Sequence, residues 1–206
     1  MASPKMKAIK LAKLKKLLPV LRQEIKAKID EKAAHAQVML PAGGPAAAAA
    51  YSCLVINSLM TDALIEHGFS HARMVAGKAA FGVNKGKFGV LDYGYSQQAD
   101  TLNVLGLAGD ENTFYGHAWI EIPDLKIIVD ALLPELQTIL AMDNSMRGFN
   151  DNTCLLSKDM IVESSNTISF AKIIDEFAIG HHYQKNAELT ESANIRIDNF
   201  RSVLGL

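Results

Sequence analysis

A chain of 206 residues, 49% of them apolar, can build one domain with a real core, or one domain and an extension. A formal net charge of −1 argues against a nucleic-acid protein, and no apolar run is long enough to span a membrane. Two cysteines make no disulfide framework at this length and no secretory leader is visible, so a cytoplasmic, reducing setting is expected, where a thiol is available for chemistry.

The charge is unevenly placed. Residues 1–32 hold ten Lys/Arg against three acids, and the remainder eleven against nineteen. Ser3 can cap a first helix and Pro4 suits its first position. Leu14, Leu17, Leu18, Leu21, Ile25 and Ile29 recur at helical spacing, with lysines on the other face. Pro19 is expected to kink or divide the helix. The pattern predicts a basic amphipathic extension over 1–40, packed on the domain with its lysines solvated, in preference to an arm that binds a membrane or nucleic acid.

A second helix lies in the stretch LPAGGPAAAAAYSCLVINSLMTDALIEHG, ended by Gly68, which suits the left-handed position after a helix. Its start is open between two boundaries. Ser52 as cap would place Cys53 at the first helical position, where the dipole and unused N–H groups favour a thiolate. Pro45 before five alanines would start the helix two turns earlier and leave Cys53 in its middle. The later start is the expectation.

HARMVAGKAAFGV (71–83) and GKFGVLDYGY (86–95) read as strands, and 96–113 as polar and irregular. FYGHAWIEI and KIIVDALL form a hairpin turning at Pro123-Asp124. LPELQTILAM and SFAKIIDEFAIGHHY look helical. A helix, a meander of strands and further helices predict an α+β domain over 41–206.

Either a two-residue turn at 124–125 or a four-residue loop at 123–126 sets position i opposite 249 − i. Asp130 then faces Trp119, and His117 is its diagonal neighbour on the same face, within reach of a hydrogen bond. A carboxylate holding an imidazole is the base half of a nucleophilic triad, and Cys53 supplies the thiol. Glu121 shares the face but lies farther along the strand. The second oxyanion donor is sought among Tyr51, Trp119, Gln97 and Gln98.

The order Cys, helix, GFSHARMVAG, strand, GHAWIEI, IIVD resembles the transglutaminase-like branch of the papain-like cysteine hydrolase superfamily, over about residues 50–133. The resemblance implies a nucleophile helix packed on an antiparallel sheet, with Cys53 as nucleophile, His117 as base and Asp130 as orienter. A fainter similarity to arylamine N-acetyltransferases rests on Asn57, four residues after the Cys. The Glu that precedes that Asn in those enzymes is replaced by Val55.

Other residues read as structural. Cys154 has no imidazole near it in sequence. His181-His182 on a helix would point to different faces, with no ligand at metal spacing. His67 and His71 flank a helix end, where a cationic side chain suits the dipole, and His71 has a second reading as a site-lining residue. Arg73 reads either as a structural residue pairing an acid such as Asp62 or Glu66, which is the expectation, or as a reader of a substrate carboxylate. Neither a metal nor a cofactor is called for. The expected activity is acyl transfer on a peptide, protein or small amide or thioester. The alternative is an inactive domain of the same architecture that binds a protein or peptide, with no nucleic acid and no integral membrane segment in either case.

Overall fold

The computed structural model describes residues 4–35, 45–84, 88–95, 114, 116–134 and 159–204. Helix α1 (Pro4–His35) is followed by α2 (Pro45–Glu66), β1 (Arg73–Asn84), β2 (Phe88–Tyr93), β3 (His117–Ile122), β4 (Ile127–Val129) and β5 (Ile161–Glu163). A 3-10 turn at Ser164–Asn166 leads to α3 (Phe170–Asp175), β6 (Gly180–Lys185) and α4 (Ala187–Leu204). The architecture is α+β, with an antiparallel sheet. No helix among the described residues is long and apolar enough to cross a membrane.

α1 runs unbroken through Pro19. Pro19 is exposed, so the backbone bond it forgoes leaves a carbonyl that water can reach. The helix is held from the other side, where Leu14, Leu18, Leu21 and Ile25 are buried against Ile56, Met60 and Leu64 of α2 and Ile120, Ile122, Ile127 and Val129 of the sheet. Lys5, Lys13, Lys15, Lys16, Lys26 and Lys28 are exposed on it.

α2 begins at Pro45, the earlier of the two boundaries. Proline suits a first helical position and alanine is the strongest helix former, so the alanine run extends the helix upstream of Ser52. Cys53 is therefore not at a helix start. At the other end Gly68 has φ 91, with the Phe69 N–H donating to the Leu64 carbonyl (2.9 Å) and the Gly68 N–H to that of Ile65 (3.0 Å). This paired closure needs a left-handed residue, which glycine supplies without strain.

β1 is the centre of the sheet. Residues 79–82 pair with β2 and β6 at once, and Gly77 pairs with both His117 of β3 and Lys185 of β6. β6 therefore lies along one side of β1, while β2 and β3 follow one another along the other. Tyr93, opposite Ala79, and His117, opposite Gly77, become neighbours although 24 positions separate them in the chain. A Cβ on Gly77 would lie 2.1 Å from the Gln184 carbonyl oxygen, so only glycine lets β6 approach here.

The β3–β4 hairpin has the expected register: Ile120 faces Val129, Glu121 faces Ile128 and Ile122 faces Ile127. The loop is 123–126, with Lys126 at φ 57. The ladder stops at Val129, and the Asp130 N–H turns to the Met160 carbonyl at 2.8 Å.

The segment SFAKIIDEFAIGHHY departs from expectation. Only Phe170–Asp175 is helical, and His181 and His182 belong to β6. Six ladder pairs with β1 override the local apolar pattern there. β5 and α4 complete the fold without having been anticipated. α4 had a readable signal: the Asn186 side chain accepts from the Leu189 N–H at 2.9 Å, a helix cap. The predicted helix at LPELQTILAM lies outside the described residues from position 135 onward, as does Cys154.

Candidate active site

β3 delivers His117 to a face of the sheet carpeted with rings. Phe81 and Tyr93 lie 5.7 and 4.9 Å from the imidazole centroid, and Trp119 and Tyr183 each 6.3 Å from it. His117 and Asp130 are wholly buried, and Cys53 is 5% exposed. A charged pair survives such burial only with every polar atom directed.

The directions are clear at Asp130. His117 Nε2–H donates to Oδ2 at 2.7 Å, the Tyr183 hydroxyl donates to the same oxygen at 2.9 Å, and the Leu132 N–H donates to Oδ1 at 3.0 Å. An ionised carboxylate only accepts, so Nε2 must carry a hydrogen and Nδ1 is the nitrogen left for other chemistry. Nδ1 makes no hydrogen bond of conventional geometry among the described residues, yet the Cys53 thiol is near enough to act on the ring.

Burial alone would push the His117 pKa down. The charge and hydrogen bond of Asp130 override it, and a Cys53 thiolate beside the ring, which favours its protonated form, acts the same way, holding the pKa at about 10. The imidazolium is thus the favoured form at neutral pH. Burial raises the Tyr183 hydroxyl well above its usual value, with the charge and hydrogen bond of Asp130 adding to it, so Tyr183 stays a donor. Burial and then the charges of Cys53, Asp130 and Asp92 raise Tyr93 likewise. His181 goes the other way. Burial lowers its pKa against the pull of Asp130, and its Nε2 has no partner among the described residues.

α2 reaches this site through Asn57, which is wholly buried. Its Nδ2 donates to the Cys53 carbonyl (2.8 Å) and the Ala118 carbonyl (2.9 Å), and its Oδ1 accepts from the Ala131 N–H (3.1 Å). Trp119 is 1% exposed, packs beside the imidazole, and has an indole N–H with no partner among the described residues.

The structure thus brings Cys53, His117, Asp130 and Trp119 together. Tyr51 lies in α2 on the N-terminal side of Cys53; its side chain, Gln97 and Gln98 lie outside the described residues. Tyr183 was missed because its strand read as helix. Arg73 pairs with Glu121 at 2.8 Å, not with Asp62, which binds Arg201 at 2.6 Å, nor with Glu66. His71 is exposed near Asp124, at the far end of the hairpin from His117, and does not line the site. Among the described residues no group of three His, Cys, Asp or Glu could hold a metal ion.

No protein-family model matches the chain, and neither a curated protein nor a solved structure resembles it at a significant level.

Proposed function

We propose that the protein is a cysteine-dependent acyl-transfer enzyme of papain-like, transglutaminase-like architecture, acting on an amide, thioester or related bond. The observation that carries the reading is the buried 2.7 Å contact between His117 Nε2 and Asp130, with the Cys53 thiol acting on the same ring. In the reactive form the Cys53 proton already sits on His117 Nδ1, and Asp130 stabilises the imidazolium of this thiolate–imidazolium pair. The thiolate attacks the acyl carbon and forms a thioester; the imidazolium returns the proton to the leaving amine or thiolate. Water or an acceptor amine then attacks the thioester, His117 takes its proton, and sulfur leaves as the thiolate, which regenerates the thiolate–imidazolium pair. The substrate is a peptide, a protein or a small amide or thioester.

The oxyanion needs donors. The Cys53 N–H is a poor candidate, because eight residues of α2 precede it and a regular helix commits that N–H to the carbonyl four residues back. The unpartnered indole N–H of Trp119 supports a role for it instead.

The second reading, an inactive domain of this architecture that binds a protein or peptide, draws on the burial of all three side chains and on the mid-helix position of Cys53. Exposure to p-nitrophenyl acetate separates the two. The enzyme reading expects an acetyl thioester at Cys53, found by peptide mass spectrometry, that is absent in Cys53→Ser and much slower to form in His117→Ala. Acetylation that avoids Cys53, or ignores the loss of His117, favours the binding module.

A further inference from the structure

We propose that Asn57 is a positioning residue that sets the Cys53 sulfur against His117. The inference rests on the acyl-transfer reading of Cys53, His117 and Asp130. One side chain touches the backbone at all three: the carbonyl of Cys53 itself, the carbonyl of Ala118 next to His117, and the N–H of Ala131 next to Asp130.

The amide orientation is set by its partners. Two carbonyls need donors and one N–H needs an acceptor, so exchanging Oδ1 and Nδ2 would spoil all three contacts. Asparagine at this length supplies two donors and one acceptor. Aspartate lacks the amide donors, leucine has the shape without the bonds, and alanine would suit the helix better by propensity alone. Full burial is tolerated because both side-chain polar atoms are used.

The consequence is geometric. Cys53 is not at a helix start, so no terminal turn of helix defines where its sulfur sits. Its own carbonyl is instead tied to β3 and to the residue after Asp130 through a single amide. The backbones bearing nucleophile, base and orienter move as a unit, and the two carbonyl contacts, at 2.8 and 2.9 Å, set the spacing between Cys53 and His117. Displacement on the order of 1 Å in such an arrangement lowers reactivity about a hundredfold. Losing those contacts therefore acts on Cys53 and on the part of the His117 proton affinity that Cys53 supplies, and leaves the Asp130 contact in place.

The test compares wild type, Asn57→Leu, Asn57→Asp and His117→Ala as full-length chains. Two readouts are taken: the rate of Cys53 alkylation by iodoacetamide at neutral pH, resolved by peptide mass spectrometry, and the midpoint of the His117 titration by NMR. In Asn57→Leu, alkylation is expected to fall at least tenfold, toward the His117→Ala level, and the His117 midpoint to move down. Asn57→Asp, whose buried carboxyl keeps an acceptor for the Ala131 N–H and can donate one bond when protonated, falls between wild type and leucine on both. A merely structural asparagine lowers the melting temperature and leaves the alkylation rate and the His117 midpoint at their wild-type values, which overturns the proposal. If Asn57→Leu does not fold, Asn57→Asp decides alone: wild-type values on both readouts overturn the proposal, reduced values uphold it. Equal alkylation of wild type and His117→Ala instead refutes the acyl-transfer reading, whatever Asn57 does.

Discussion

Two ion pairs of nearly equal length start from strand β3, four residues apart. His117 meets Asp130 at 2.7 Å, and Glu121 meets Arg73 at 2.8 Å. Their surroundings differ completely. Arg73 is 57% exposed, and Glu121 also reaches Lys185, so water screens the pair and either cation can serve. His117 and Asp130 are 0% exposed, ringed by aromatics, and completed by Tyr183 and the Leu132 N–H. A pair of the first kind joins strands at the surface. A pair of the second kind is costly to bury and is a weak source of stability, so its retention beside a thiol points to chemistry.

Removing one partner gives the largest contrast. His117→Ala leaves the Asp130 carboxylate buried without its counter-charge and is expected to lower stability by about 3–5 kcal/mol in chemical denaturation. An effect as small as that at Arg73 would mean that Asp130 is not charged in the native state.

The pH dependence sharpens the same contrast. The folded protein holds the His117 proton up to about pH 10, against 6.5 ordinarily. The folded state therefore binds more protons than the unfolded state between those values, and stability falls as pH rises through that interval. The stabilisation from this group is complete below about 6.5 and gone above about 10. Melting curves of wild type and His117→Ala should converge as pH rises from 6 to 10; a gap that stays constant or widens contradicts the assignment.

Tyr183→Phe removes one of the three donors to Asp130 and keeps the ring packing. A hydrogen bond to a charged acceptor contributes about 1.5–3 kcal/mol, and a loss in that range is expected on denaturation. Unchanged stability would show that the Tyr183 hydroxyl does not support the carboxylate.

Arg73→Gln is the smallest effect. Less than about 1 kcal/mol should be lost, with no change in Cys53 reactivity, because the pair is exposed and Lys185 remains beside Glu121. A slowed thiol would show that the two pairs are coupled along the strand.

The residues differ in how far sequence alone could place them. The relation between His117 and Asp130 was legible because Pro123-Asp124 sets a turn, and a turn dictates the register of the strands beside it. Gly68 was legible for a similar reason: closing a helix this way needs a left-handed residue. The start of α2 was not, since Pro45 and the alanines satisfy both a linker and a helix, and intrinsic propensity decided for the helix. Tyr183 and the strand that carries it were hidden because the apolar spacing of 169–183 is helical, whereas its pairing with β1 is a contact across a hundred positions. Asn57 was visible as a residue type four positions after the Cys. Its three partners lie on three different segments, and no local pattern reveals them.

The central claim is that His117, held by Asp130, activates Cys53. The rate of Cys53 alkylation by iodoacetamide at neutral pH, followed residue by residue in wild type and His117→Ala, tests it most directly. The account predicts that wild-type Cys53 is alkylated well before Cys154 and that the substitution slows Cys53 alone. Equal alkylation of the two thiols, unaltered in His117→Ala, would contradict it.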